Sequence, residues 1–259
     1  MMSRPQTSRH EDCDVPSGYP SELELDAVSV ERFNFRLRPI RPDDANALVQ
    51  FHDHLSDRSC YLRFFSLHRH LSPKEVERLT RIDYRDRLAL VAEHDGRLIA
   101  VGRYDRRPET AEAEVAFVVA DECQHHGIGS LLLDELAGAA RDRGITTFVA
   151  DTLEENLSML EVFTRSGFSI TRHCEYGTVS LSFPIARTPS YEAALERRRA
   201  GWRIAPSSAV LLDEVPSIDV AHVATGRGPT PSTMDCEILT GTGPLSIVGT
   251  EIAVDSWRE

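Results

Sequence analysis

Glu112-Ala-Glu-Val-Ala-Phe-Val-Val-Ala120 runs directly into Asp121-Glu-Cys-Gln-His-His-Gly-Ile-Gly-Ser130, so a valine-rich run meets a glycine loop. From Ala113 to Ala120 every residue except Glu114 is apolar or small, which suits a buried strand. Ile128, Leu132, Leu136 and Ala140 then recur every four residues with Leu133 and Ala137 beside them, the apolar stripe of a core-facing helix. Arg141, Arg143 and Gly144 mark its end. Gln124 to Ser130 is therefore a strand-to-helix turn. Such a turn offers backbone N–H groups at the positive end of the helix dipole, and Gly127 and Gly129 let a phosphate come close. On the loop alone, a pyrophosphate cradle and a glycine-bearing connection that binds nothing both stand.

Two other phosphate motifs fit less well. A dinucleotide fingerprint asks for glycine at 132, where this chain has leucine, although Asp151 lies near the distance expected of a ribose-binding acid. A P-loop asks for lysine after its last glycine, and none is present. Arg87-Leu-Ala-Leu-Val-Ala-Glu93, the Asp95-Gly96 turn and Leu98-Ile-Ala-Val-Gly-Arg-Tyr104 read as an antiparallel hairpin. Antiparallel strands before the loop argue against a doubly wound fold.

Downstream, Asn156-Leu-Ser-Met-Leu-Glu-Val-Phe163 leads into Thr-Arg-Ser-Gly167-Phe168. Together with Gln124-x-x-Gly127-x-Gly129, this strongly resembles the GNAT acyltransferase superfamily over roughly residues 34–185. Leu55-Ser-Asp-Arg-Ser-Cys-Tyr61-Leu-Arg63-Phe-Phe65 with Ala113-Glu114-Val-Ala resembles, more narrowly, the catalytic domain of bacterial Pat-type protein lysine acetyltransferases. The resemblance implies an α/β (α+β) fold, with a mixed, largely antiparallel sheet and helices on both faces. It also implies acetyl-CoA as co-substrate and a protein acceptor such as an acyl-CoA synthetase.

The resemblance further implies site residues. Glu114 matches the general base. The strand at Val118, Val119 and Ala120 would pair with the pantetheine arm, with a backbone N–H near Val118 on the thioester oxygen. Gln124, His125, His126, Gly127, Ile128, Gly129 and Ser130 would approach the pyrophosphate, and Asn156 would lie on the cofactor side. Phe163 would likewise contact the cofactor, at the position where many relatives carry a tyrosine acid. Amine acylation needs such a base because a free lysine, with pKa ~10.4, is protonated at pH 7. Alternation puts Glu112 and Glu114 on one strand face about 6.8 Å apart, so either can point into a cleft; Glu114 is nearer the cradle.

The 259 residues carry 29 Lys+Arg against 41 Asp+Glu, a formal charge of −12, which argues against a general nucleic-acid binder. Five scattered cysteines without a C-x-x-C pair favour reduced thiols in the cytoplasm. No apolar run approaches bilayer-spanning length and no signal core opens the chain, so neither membrane nor secretion is expected. His52 and His54 lie two apart on a helix, a poor metal pair expected to be solvated or half-buried, and His68 and His70 lack zinc-site neighbours; no metal is expected.

The organisation expected is a mobile arm over 1–30, an acetyltransferase domain over 31–187, and a C-terminal helix with a weakly structured tail over 188–259. Phe33 to Arg38 reads as a first strand, with Asp43 capping a helix toward Ser56. Ser72-Pro-Lys-Glu75 has capping-box spacing for a short helix to about Thr80. Thr147 to Ala150, Phe168 to Arg172 and Thr178 to Pro184 read as later strands, and Tyr191 to Ala200 as a helix. Ala209 to Leu212 and Ile247-Val248 are apolar islands in the tail. Two other functions compete with protein acetylation: a small-molecule N-acetyltransferase, and a non-catalytic acyl-CoA sensor, against which an intact Glu114 counts.

Overall fold

Asp95 and Gly96 both take positive φ, 48° and 73°. That is the two-residue turn whose twist matches a hairpin, and it joins β3 (Arg87–His94) to β4 (Arg97–Arg106). The computed structural model of the chain describes residues 16–30, 32–66 and 70–207. Among these, the other strands are β1 (Leu25–Ser29), β2 (Asn34–Pro39), β5 (Glu112–Val119), β6 (Thr147–Leu153), β7 (Thr171–Glu175), β8 (Thr178–Pro184) and β9 (Trp202–Pro206). They form one sheet in the order β7-β8-β6-β5-β4-β3-β2-β1-β9. Every pairing is antiparallel except β5 with β6.

Helices cover the sheet. They are α1 (Ala45–Asp53), α2 (Asp57–Phe64), α3 (Pro73–Thr80), α4 (Ile128–Asp142), α5 (Leu157–Thr164) and α6 (Pro189–Arg199). Leu88 to Ala92 are all buried, which requires both faces of β3 to be covered. The stripe of α4 packs across β3, β4 and β5. Beside it, Phe117, Phe163, Phe183, Phe168 and Tyr191 form a chain of ring contacts 4.4 to 5.5 Å between centroids. The mixed, largely antiparallel sheet is the one expected.

The edges of the domain differ from expectation. The stretch taken for a mobile arm contains β1, which lies between β2 and β9 with Leu25 and Ala27 buried. Two inward side chains are too few to register as periodicity, and the strand exists through its partners. The tail read as weakly structured likewise begins with β9; residues 1–15, the islands at 209–212 and 247–248, and His68 lie outside the described residues. Asp44 rather than Asp43 sits at the N-cap position of α1, but its carboxylate closes the Pro42–Asp44 turn before the helix instead of capping it: it accepts from the Arg41 N–H at 2.7 Å and takes a bidentate pair from Arg38 at 2.7 and 2.8 Å. That helix stops at Asp53, and a second begins after Ser56. The strand expected near 168–172 is displaced to Thr171–Glu175.

His52 is buried against the Phe64 ring rather than solvated. Among the described residues no group of His, Cys, Asp and Glu is arranged to hold a metal, and no helix is long and apolar enough to cross a membrane. The Ser72 capping box forms as its spacing predicts, with Ser72 N–H on Glu75 at 2.7 Å and Glu75 N–H on Ser72 at 3.3 Å.

Candidate active site

The parallel pairing of β5 with β6 ends at Glu114 opposite Val149, although both strands continue. Beyond that point they part, and α2, the start of α4 and the start of α5 border the opening. The cavity there has a volume of about 740 Å³. Its lip is the turn read from sequence. Gly127, at φ 81° and ψ 4°, is the N-cap of α4 and has no side chain to occupy the first-turn donors. Leu131 makes the first bond, to the Gly127 C=O at 3.1 Å, leaving the N–H groups of Ile128, Gly129 and Ser130 before it. Those donors at a helix N-terminus form a cradle suited to phosphate.

The strand wall corrects one expectation. Ala120 N–H donates to Ile99 C=O at 2.8 Å, and Arg107 N–H donates to Glu112 C=O at 2.9 Å. With unbroken register between them, alternation turns the backbone of the even-numbered residues toward β4. Val118 is thus tied to Val101, and Ala120 is already paired. Phe117 and Val119 instead turn their N–H groups toward the opening, where they can donate to a ligand in the cavity.

Val118, Val119, Gln124, His125, Gly127, Ile128, Gly129, Ser130 and Asn156 all border the cavity. Three residues expected with them do not. Ala120 is buried beneath the strand end, and His126 turns away to stack on Phe33 at 5.0 Å. Phe163 is 1% exposed and sits between Phe117 and Phe183, so it is core rather than cofactor contact. Asn156 serves two ends: its Oδ1 caps α5 by accepting from Met159 N–H at 3.2 Å, leaving its amide N–H groups to donate.

Gln124 acts as a strut. Its Nε2 donates to Val119 C=O and to Ser59 Oγ, both at 3.2 Å. Ser59 donates to Asp121 at 2.8 Å, and Asp121 also accepts from the hydroxyl and N–H of Ser56 at 2.7 and 2.9 Å. Burial opposes the Asp121 carboxylate, but these donors outweigh it and hold its pKa below the ordinary value. Ser56 caps α2 through the Ser59 N–H at 3.1 Å, so the network joins that helix to the cradle. Ser56 and Ser59 enter the sequence reading only through the resemblance, and no local signal links Asp121 to serines 62 and 65 residues away.

Glu114 lies half-buried on β5 at the last paired position with β6, and like Ala120, His126 and Phe163 it does not itself border the cavity. Directly across the β4 pairing stands Asp105, which takes Arg87 at 2.8 Å and the buried Arg103 at 2.9 Å. Arg63 of α2, which borders the cavity, belongs to the same electrostatic cluster. Burial lowers the pKa of Arg63 most and Arg103 lowers it further, with Glu114 and Asp105 opposing. Arg103 is lowered by burial against Asp105 and Glu114 in the same way. Glu114 thus stands in a cationic setting at the point where the two strands part. Glu112, at the start of the strand, pairs with Arg107 at 3.4 Å.

Two strands that part beyond Glu114, with free backbone donors of a helix N-terminus at the lip, are an arrangement suited to an acyl-CoA-dependent transferase. The family model described as the Acetyltransferase (GNAT) family matches residues 56–168. Acetyltransferase Pat of Mycolicibacterium smegmatis is 35% identical over 136 residues, covering 51% of this chain. The matched stretch is only 40% of that relative's length. Acetyltransferase PA5475 of Pseudomonas aeruginosa is 31% identical over 136 residues, 51% of this chain and 73% of its own. The crystal structure of the GNAT domain of S. lividans PAT is 42% identical, with TM-score 0.61, covering 64% of this chain and 99% of its own. The chain belongs to the GNAT family of acetyl-CoA-dependent N-acetyltransferases.

Proposed function

We propose that this acetyltransferase modifies the side-chain amine of lysine in a protein acceptor of the acyl-CoA synthetase kind, with Glu114 as general base. The observation that carries the reading is the position of Glu114, at the last pairing before β5 and β6 part and on the strand that borders the cleft. The similarity to relatives named Pat supports the choice of acceptor.

The chemistry is direct. A carboxylate oxygen of Glu114 takes a proton from the lysine ammonium, itself or through a water, because the ammonium has no lone pair to attack with. The neutral nitrogen attacks the thioester carbonyl carbon, and the charge gathering on its oxygen meets a backbone N–H from Phe117 or Val119. The C–S bond breaks, CoA departs as thiolate and the amide nitrogen loses its second proton to solvent. Buried Phe163 has no proton to give, so departure of the thiolate proceeds without a phenolic acid at that position.

Labelled acetyl-CoA incubated with the enzyme and an acyl-CoA synthetase tests the reading, with label expected on lysine of the synthetase. Turnover of small amines with no protein labelled would instead establish a small-molecule N-acetyltransferase.

A further inference from the structure

Two consecutive residues of the phosphate loop rest on rings from distant parts of the chain. The His126 imidazole stacks on Phe33, centroids 5.0 Å apart and planes at 27°. Gly127 faces Trp202: a methyl group at its Cα would stand 3.5 Å from the indole Nε1 and 3.6 Å from Cζ2. Phe35 meets Trp202 edge-on at 5.3 Å and 80°, and Phe33 touches both Phe35 at 6.2 Å and His94 at 4.8 Å. The sheet sets this group in place, since β1 pairs with β2 on one side and with β9 on the other, aligning Ala27 with Phe35 and Ser29 with Trp202.

One residue of the loop carries backbone strain. His125 lies at φ 64° and Gly127 at φ 81°, both left-handed. For a residue with a Cβ this costs on the order of 1 kcal/mol and persists only where the surroundings over-determine it. The direction of the first-turn N–H groups depends on those dihedrals.

We propose that Phe33 and Trp202 are positioning residues for the acetyl-CoA phosphate loop. Their rings back His126 and Gly127 and hold the donors of Ile128, Gly129 and Ser130 toward the cavity. Neither ring borders that cavity, and both lie outside the 56–168 span of the family match. The C-terminal strand thereby raises cofactor affinity from behind the loop. This rests on the reading of the loop as the phosphate cradle, and the experiment separates the two.

Calorimetry with acetyl-CoA on the full chain provides the test, with far-UV circular dichroism and thermal unfolding as checks of folding. Trp202→Ala is expected to weaken binding roughly tenfold, while Trp202→Phe, which keeps a ring against Gly127, stays within about twofold of the parent. Phe33→Leu is expected to weaken binding as well. A folded Trp202→Ala protein with parental affinity overturns the proposal. So does equal weakening in Trp202→Ala and Trp202→Phe, since the indole N–H rather than ring packing would then carry the effect. If Trp202→Ala does not fold, Phe33→Leu decides, and parental affinity there overturns the proposal.

Gly129→Ala probes the cradle separately. Its methyl would meet Val162 at an ordinary 3.5 Å, so the fold tolerates it. Unchanged acetyl-CoA affinity in Gly129→Ala sinks the cradle and, with it, the positioning role. Weakened Gly129→Ala beside a parental, folded Trp202→Ala sinks the positioning role alone.

Discussion

On its cavity side the glycine loop presents backbone donors, and on its other side it meets rings. The donors of Ile128, Gly129 and Ser130 come from one contiguous strand-turn-helix, Glu112 to Asp142. The rings of Phe33, Phe35 and Trp202 come from the residue before β2, from β2 and from β9, at opposite ends of the described chain. The binding groups are specified locally, and their rigidity is supplied by partners remote in sequence. A change in the first region should therefore alter chemistry while sparing the fold, and a change in the second should act through stability or loop placement.

The sharpest break in that pattern would come from Glu114. Glu114→Gln keeps the shape and most hydrogen-bonding capacity but cannot accept the proton, so acetyl transfer at pH 7 should fall about 10²- to 10⁴-fold. Acetyl-CoA affinity should barely move. Part of the rate should return as pH rises toward the pKa of the acceptor amine, because solvent then deprotonates what the carboxamide cannot. Parental turnover at pH 7 would hand the role of base to another group, and loss of acetyl-CoA binding would make Glu114 structural.

The scaffold that carries β9 is tested where α6 meets the buried face of α4, away from the loop donors. The Asp134 carboxylate is buried and takes both arms of Arg198, at 2.9 and 2.6 Å, while the same guanidinium donates to Arg165 C=O at 2.7 Å. Burial raises the pKa of Asp134 against the pull of Arg198, so the site is costly to ionise and depends on its partner. Asp134→Ala strands a guanidinium and should cost about 3 kcal/mol of unfolding free energy in denaturant titrations. Because α6 leads directly into β9, acetyl-CoA affinity should weaken along with stability; intact affinity would uncouple the two regions.

Legibility followed the same division. The glycine loop, the α4 stripe, the Asp95-Gly96 hairpin and the Ser72 capping box each act within a few residues, and each formed where the sequence places it. β1 and β9 are short strands stabilised by pairing, with no pattern of their own. The Asp121 network joins residues 62 and 65 apart, beyond any local window. Alternation along β5 was visible in sequence, but which set of amides faces β4 is fixed by Ile99 and Arg107 across the strand. Residue-by-residue transfer from the family put Phe163 on the cofactor side, where the fold buries it among rings.

That burial makes a prediction of its own. Phe163→Tyr restores the residue type many relatives use as an acid, yet here the hydroxyl would enter a packed aromatic core. Stability should fall by about 1–3 kcal/mol, the cost of an unsatisfied buried hydroxyl, and turnover should gain nothing. A rate increase in this variant would mean that the ring reaches the thioester after all.

The smallest effect expected concerns Asp121, which joins the α2 cap to the cradle. Its folded-state pKa lies below the unfolded value, so the carboxylate form binds its donors preferentially. The stability it contributes is complete above the ordinary carboxylate pKa of about 4 and is lost as pH falls through the depressed folded value. Asp121→Asn keeps one acceptor but removes the charge facing Ser56 and Ser59, and because the residue is exposed its cost at pH 7 should be only about 0.5–1 kcal/mol. The distinguishing result is the pH dependence: melting temperatures of parent and variant should differ between pH 5 and 8 and converge as pH falls below about 4. A constant difference across the whole range would mean that Asp121 acts through shape rather than charge, and the network would then be packing that happens to contain a carboxylate.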